Sequence, residues 1–178
     1  MNEMLFNGAS LPVLRLLGKG KGGYAYLVER DGQRYVLKQI HHEPCEYYNF
    51  GDKLQSELND YQRLLDMGIP IPKIIDVDRE GERILKAYID GPTIMQLLKD
   101  GQDVARYLPA VRQMAEKAEA HGKNIDYFPT NFVAAGNGLW YIDYECNDYM
   151  YEWSFEVWGI KYWSHTPTLK EWLRQNEI

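Results

Sequence analysis

The stretch Gly18-Lys-Gly-Lys-Gly-Gly-Tyr-Ala-Tyr-Leu-Val28 decides how the first half of this chain folds. Its glycines fit the spacing G-x-G-x-x-G, which also occurs where a strand leads into the helix of a dinucleotide-binding fold. Here an apolar segment, Leu11 to Leu17, precedes the glycines, and strand-forming residues follow them. The pattern therefore predicts a two-stranded hairpin whose turn lets phosphate groups approach the backbone at Gly18, Gly20 and Gly23.

The next strand carries a lysine on an apolar face. A hairpin turn signal at Asp31-Gly32 precedes Arg34 to Ile40, a segment whose side chains alternate between two faces. Val36, Lys38 and Ile40 share one of these faces. The side chain of Lys38 could extend from an edge strand to water, or its amine could bind the phosphates of a ligand.

A single helix follows these strands. It is predicted from about Asp52 to Met67, where glycine and proline residues end it. Apolar side chains three and four positions apart give the helix one buried stripe, and Glu57 borders that stripe. A carboxylate there could orient the Lys38 amine toward phosphate, with Glu46 and Asp60 as alternative partners.

The remaining elements suggest a strand-rich first half and a helical second half. Further strands are predicted at 74–77, 83–88, 132–134 and 139–142, and further helices at 94–99, 104–121, 152–163 and 168–175. The arrangement predicts an α+β fold within one domain that covers residues 1–178.

Composition limits the possible functions. The chain has 178 residues, of which 45% are hydrophobic, and a formal net charge of −6, so we expect no extended nucleic-acid surface. No apolar stretch is long enough to cross a bilayer, and no signal peptide is recognised at the start. Cys45 and Cys146 are expected to be free thiols in the cytoplasm. His41, His42 and Cys45 lack the spacing of a common zinc site and are interpreted as loop residues.

The run Asp126-Tyr-Phe-Pro-Thr-Asn131 is the more specific signal. Where this D-x-x-x-x-N spacing serves phosphoryl transfer, the aspartate orients the attacking hydroxyl and the asparagine binds a metal ion. Asp143 directly follows the apolar strand Leu139-Trp-Tyr-Ile142, so its carboxylate is expected at a strand end, where a second metal ligand is needed. The alternative interpretation is that both aspartates only stabilise turns.

Taken together, the chain resembles a very small member of the protein-kinase-like superfamily. The resemblance covers about residues 14–160 and includes features of the RIO-type atypical kinases and of the aminoglycoside and choline phosphotransferases. It implies a bilobal fold with an antiparallel-sheet N-lobe plus one helix (about 1–88), a hinge (about 87–92) and a reduced helical C-lobe (about 93–178). The segments that carry the resemblance are Leu17-Gly-Lys-Gly, Tyr35-Val-Leu-Lys, Glu57, Ala87-Tyr-Ile-Asp-Gly-Pro-Thr93, Asp126–Asn131 and Tyr141-Ile-Asp-Tyr-Glu145.

The resemblance also implies a role for each motif residue. ATP and Mg²⁺ would be bound, and the γ-phosphate would pass to a hydroxyl group on a protein or a small molecule. Asp126 and Lys38 would be the catalytic residues, and Asn131 and Asp143 would bind the metal. The residues implied to hold the nucleotide are Gly18, Gly20, Gly23, Lys38, Glu57, Tyr88, Asn131 and Asp143.

Some positions depart from the family pattern. Asn124 replaces the usual histidine before the catalytic aspartate, and Phe128 replaces the lysine or histidine near the transferred phosphate. No A-P-E motif is present, so a segment that docks a peptide is missing or minimal. An atypical serine/threonine protein kinase is the leading hypothesis; a small-molecule kinase and a pseudokinase are the alternatives. Aromatic residues are dense over 140–163, which predicts a filled core or, alternatively, the surface of a homodimer.

Overall fold

Six strands of the first half form one antiparallel sheet in the computed structural model, which describes residues 2–44 and 52–176. Their order across the sheet is β1-β2-β3-β4-β6-β5. The strands are β1 (Glu3–Phe6), β2 (Ala9–Lys19), β3 (Gly23–Arg30), β4 (Gln33–Ile40), β5 (Ile74–Asp78) and β6 (Arg83–Ala87).

Apolar side chains cover both faces of this sheet. One face, which carries Lys38, packs against helix α1 (Lys53–Asp66) through Ile40, Leu54 and Ile84. On the other face, the hairpin of β1 and β2 contributes to a cluster that comprises Phe6, Leu11, Val28, Leu37 and Leu85. Strand β1 is not predicted by the sequence analysis, because the three consecutive apolar residues of Glu3-Met-Leu-Phe6 lack the alternation of a half-buried strand.

The chain divides into two compact units. The first contains Met1–Asn59 and Pro72–Tyr88, and the second contains Asp60–Ile71 and Ile89–Ile178. The second unit has two short antiparallel pairs, β7 with β10 and β8 with β9. Its elements are α2 (Ile94–Lys99), α3 (Leu108–Ala120), β7 (Lys123–Ile125), β8 (Phe132–Ala135), β9 (Gly138–Tyr141), β10 (Cys146–Asp148) and α4 (Pro167–Gln175).

Helix starts in the second unit follow local sequence signals. Thr93 begins α2 with a capping box, in which its side chain accepts from the backbone N–H of Gln96 and the Gln96 side chain accepts from Thr93. The long helix predicted over 104–121 is a 3₁₀ turn at Ala105–Tyr107 followed by α3, and a proline lies in the first turn of α3.

The prediction of a helix over 152–163 is wrong. The chain there forms two short 3₁₀ turns, Tyr151–Trp153 and Gly159–Tyr162, separated by irregular backbone. Aromatic residues and glycine have lower helix propensity than the alanine and leucine of typical helices. Buried rings also hold this segment, because Phe155 and Trp163 are almost fully inaccessible to solvent.

The fold class is α+β, as predicted: a curled antiparallel sheet is combined with several helices. Among the described residues, no helix is both long enough and apolar enough to cross a membrane.

Candidate functional site

The glycine stretch forms the predicted hairpin turn. Strand β2 ends at Lys19, β3 begins at Gly23, and the N–H of Gly20 donates to the carbonyl of Gly23 at 2.9 Å. A side chain at Gly18 would meet nothing within 4 Å, whereas a Cβ at Gly23 would overlap the carbonyl oxygen of Gln39. Close packing against β4 therefore requires Gly23 to be glycine, a reason that the sequence analysis did not identify.

Lys38 and Glu57 form an ion pair within the first unit. Their Nζ and Oε1 atoms are 2.6 Å apart, and their side chains are only 16% and 10% exposed. The pair connects β4 to the second turn of α1. A Cβ added at Gly22 would lie 3.9 Å from the Lys38 Nζ, so the amine lies directly beside the glycine turn. The structure thus brings three of the predicted features together.

The alternative partners of Lys38 are placed differently. Asp60 contacts Arg63, with Nη1 and Oδ1 2.7 Å apart, and its carboxylate also accepts from the Cys146 thiol at 3.4 Å. Glu46 lies outside the described residues, as does Cys45. Burial and then the charge of Asp60 raise the pKa of Cys146 to about 12, which keeps this thiol protonated.

The residues after β4 contact the glycine turn. Glu43 accepts from Lys19 Nζ at 2.7 Å and from the Tyr24 hydroxyl at 2.6 Å, and the hydrogen bond from Lys19 is the main cause that lowers the pKa of Glu43. The Nε2 of His41 lies 2.9 Å from the Gly20 carbonyl oxygen. His42 Nε2 lies 2.6 Å from a Glu82 carboxylate oxygen. Both histidines are loop residues, as predicted.

The predicted hinge residue Tyr88 follows β6 and is the last residue of the first unit. Near it, the structure shows a buried lysine that the sequence analysis missed. Lys86 is 6% exposed and pairs in register with Val36, which places it on the same sheet face as Lys38. The alternation of side chains along β6 was the signal that could have identified it.

In the second unit, Asp126–Asn131 forms a compact loop. One carboxylate oxygen of Asp126 accepts from the N–H of Phe128 at 3.1 Å, and the side-chain amide of Asn131 donates to the carbonyl of Asp126 at 3.4 Å. Residues Pro129–Asn131 form one 3₁₀ turn. These contacts close the loop locally, as short polar side chains do in turns.

Asn131 directly precedes β8, and Asp143 lies two residues after the end of β9, the strand that pairs with β8. Phe132 and Tyr141 pair at the end of the β8–β9 hairpin, and the next hydrogen bond joins the Ile142 N–H to the Asn131 carbonyl at 2.9 Å. Register therefore places Asn131 opposite Ile142, the residue that directly precedes Asp143. Amide and carboxylate oxygens are hard ligands of the kind that suits Mg²⁺, which is commonly held by one or two carboxylates together with substrate phosphates.

Within residues 2–44 and 52–176, no three His, Cys, Asp or Glu side chains form a group suited to a metal ion. The predicted ligand set contains one amide and one carboxylate, so it differs from such a group. Such a pair would need phosphate oxygens to complete the coordination of a metal ion.

The hydroxyl of Tyr141 connects the two loops. It accepts from the N–H of Asp126 at 3.1 Å and donates to the carbonyl of Glu145 at 2.7 Å. Tyr141 is fully buried, and this burial, followed by the charges of Asp143 and Asp126, raises its pKa well above the usual range. No local pattern in the sequence distinguishes Tyr141 from the other aromatic residues around it.

Aromatic side chains from residues 155–163 support the Asp126 loop. The indole of Trp163 donates to the carbonyl of Tyr127 at 2.7 Å, and the Tyr127 ring packs edge-on against Phe155. A Cβ at Gly159 would lie 2.7 Å from the Cβ of Tyr127, so only glycine fits there. The buried rings of the aromatic segment therefore fill a core beneath the loop, which the sequence analysis favoured, whereas Tyr151 and Trp153 are exposed.

The two departures from the family pattern have structural roles. Asn124 is 5% exposed, and its side-chain amide donates to the Met150 carbonyl at 2.9 Å. Phe128 packs against three half-buried rings, with centroid distances of 5.0 Å to Trp172, 5.2 Å to Tyr162 and 6.3 Å to Trp158. An aromatic cluster thus surrounds Phe128, two residues after Asp126.

An open cavity of about 700 Å³ in the first unit contains none of the predicted site residues. Asp78 lines it and accepts from the N–H groups of Asn7 at 3.0 Å and Gly81 at 2.8 Å. These bonds lower the pKa of Asp78 and account for its burial as a turn-stabilising residue.

No protein-family model matches the chain, and no curated protein is significantly similar to it.

Proposed function

We propose that this chain is an ATP- and Mg²⁺-dependent phosphotransferase with a protein-kinase-like fold, acting as an atypical serine/threonine protein kinase. The observation that carries the proposal is the buried Lys38–Glu57 ion pair beside the glycine turn. A lysine and a glutamate are costly to bury unless they are paired, and their mutual orientation prepares the amine for a phosphate ligand.

The order of elements in the first unit supports the same proposal. The lysine lies on the strand that follows the glycine hairpin, and its glutamate lies on the next helix. Protein kinases place their phosphate-binding lysine and its glutamate partner on the corresponding elements. A dinucleotide-binding fold would instead have a helix directly after the glycines, and this chain has β3 there.

The second unit would supply the groups for the transfer step. The acceptor oxygen attacks the γ-phosphorus, the bond from that phosphorus to the bridging oxygen breaks, and ADP leaves with the bonding electrons. Asp126 orients the acceptor hydroxyl and accepts its proton. Asn131 and Asp143 would hold Mg²⁺, which when bound neutralises charge on the phosphates.

A small-molecule kinase is the second candidate, favoured by the aromatic cluster around Phe128. Residues 143–156 include five carboxylates and no lysine or arginine; two of them, Asp148 and Glu156, form ion pairs with Lys123 and Arg112. Aromatic rings together with nearby negative charge attract organic cations. An amino alcohol would therefore be a suitable acceptor, in contrast to the serine or threonine of a protein.

A pseudokinase is the third candidate. Phe128 packs among aromatic rings where a cation would otherwise neutralise the transferred phosphate. Loss of such a cation can slow transfer by several powers of ten, at about 1.36 kcal/mol for each decade. In this case the chain would bind nucleotide and act through a partner. Cytoplasmic location and homodimer formation also remain predictions.

Nucleotide binding is tested by thermal unfolding with ATP, with and without MgCl₂. We expect stabilisation that depends on the metal and that is lost in Lys38→Met and in Asp143→Asn. Arg34→Met is the matched control, because Arg34 is an exposed cation on the same strand as Lys38. No stabilisation of the wild type at millimolar nucleotide would contradict the proposal.

Transfer is tested with γ-labelled ATP and mass spectrometry. Label on the protein's own serine or threonine residues, lost in Asp126→Ala, supports a protein kinase. Label only on an added amino alcohol supports the small-molecule kinase. Metal-dependent binding with no labelled product in either assay identifies the pseudokinase.

A further inference from the structure

The hydroxyl group of Tyr141 both accepts and donates a hydrogen bond. Its oxygen accepts from the Asp126 N–H and its proton is donated to the Glu145 carbonyl. The residue has no solvent exposure, so water does not substitute for either contact.

The ring that carries this hydroxyl is held in place independently. Tyr141 is the last residue of β9, it pairs with Phe132 of β8, and the two rings pack with centroids 5.2 Å apart. The Tyr141 N–H also donates to the carbonyl of Pro70 at 2.9 Å. The packed ring therefore holds the hydroxyl in place, and the hydroxyl binds the backbone of the Asp126 loop and the backbone of Glu145.

We propose that Tyr141 is a positioning residue that couples the backbone of Asp126 to the backbone of Glu145, and thereby to Asp143 two residues earlier. Its importance for catalysis rests on the proposed phosphotransferase function. Tyr141 does not touch the reacting atoms; it holds the acceptor-orienting carboxylate and the metal-binding loop in one arrangement. In a reaction that depends on positioning, a displacement of about 1 Å can cost 100-fold in rate.

The test is Tyr141→Phe, which removes only the hydroxyl. Amide hydrogen exchange measured by NMR should be at least about tenfold faster for the Asp126 N–H, because this amide loses its acceptor. In the transfer assay, kcat should fall about 10- to 100-fold while the KM for ATP changes less than about twofold.

The matched control is Val111→Ala, which shortens a fully buried side chain of α3 and removes no hydrogen-bonding group. We expect this variant to lower Tm without faster exchange at Asp126 and without loss of kcat. The inference is overturned if exchange at Asp126 is unchanged in Tyr141→Phe. It is also overturned if Val111→Ala, at the same loss of Tm as Tyr141→Phe, lowers kcat by as much as Tyr141→Phe does.

The exchange measurement separates the inference from the proposed function. It requires no nucleotide, so an inactive wild type contradicts the phosphotransferase proposal while exchange at Asp126 still decides whether Tyr141 couples the loops.

Discussion

The indole nitrogen of Trp163 lies 2.7 Å from the carbonyl oxygen of Tyr127, to which it donates a buried hydrogen bond. Tyr127 directly follows Asp126, the residue proposed to orient the acceptor. The aromatic segment near the end of the chain therefore supports a loop that lies 36 positions earlier. Large buried rings, Phe155 and Trp163, supply that support.

We expect Trp163→Phe to lower the free energy of unfolding by about 1–3 kcal/mol, because the buried Tyr127 carbonyl loses its donor. Urea unfolding measures this change. Trp153→Phe is the control: Trp153 is 53% exposed, so its replacement should change stability by less than about 0.5 kcal/mol. Equal effects of the two substitutions would contradict the supporting role of Trp163.

Glu57→Gln should destabilise the chain by about 3–5 kcal/mol, because it removes the carboxylate partner of a largely buried lysine. The double variant Lys38→Met with Glu57→Leu should recover much of this loss, since neither charge is then buried. Urea unfolding of the three proteins gives the comparison. For contrast, Glu43→Gln breaks a contact with Lys19 that is about half exposed, and we expect no measurable change. A double variant less stable than Glu57→Gln would argue against this account.

Two glycines of the same motif should respond differently to alanine. Gly23→Ala places a methyl group against the Gln39 carbonyl and should cost about 1–3 kcal/mol, whereas Gly18 has open space around it. Thermal unfolding should therefore show a lower Tm only for Gly23→Ala. Gly18→Ala then becomes the cleaner probe of nucleotide binding, because its fold is unchanged. Similar losses of Tm in both variants would show that the hairpin geometry is wrong.

Stability should fall in alkali partly because of Cys146. Its pKa is about 12 in the folded chain, against an ordinary value of 9.0. Because the folded pKa is raised, the stabilisation is fully present below about pH 9 and is lost as pH rises toward about 12. Within this window one such group contributes a slope of about 1.4 kcal/mol per pH unit.

The measurement is the free energy of unfolding at several pH values for wild type and Cys146→Ser. The serine does not titrate in this range, so the variant should have a shallower alkaline slope. If the free energy of unfolding falls equally with pH in both proteins, the Cys146 thiol has the same pKa in the folded state as in the unfolded state.

Local pattern was sufficient to predict the glycine hairpin, helix α1 and the contact between Lys38 and Glu57. Each depends on residues whose spacing along the chain fixes their place on a strand or a helix. The alternation along β4 placed Lys38 on the face that packs against α1, and the helical stripe placed Glu57 beside it. Their functional roles, like those of Asp126, Asn131 and Asp143, remain predictions.

Contacts between distant segments could not be predicted in this way. Tyr141 and Trp163 are ordinary aromatic residues by sequence, and only the folded chain shows that their polar atoms reach the Asp126 loop. The error over 152–163 has the same origin, because tertiary packing of rings prevailed over a helical pattern. Lys86 was missed although the alternation along β6 places it on the face that Lys38 shares, because its burial depends on the paired strand β4.

The dependence of Tyr127 on Trp163 has a consequence for biosynthesis. A ribosome makes the Asp126 loop first and adds Trp163 about 2–7 seconds later, at about 5–20 residues per second. Throughout that interval the loop lacks the indole that holds it, so a nascent chain cannot complete this part of the molecule. Released chains truncated before residue 163 should therefore expose the Tyr127 ring to proteolysis, and full-length chains should not.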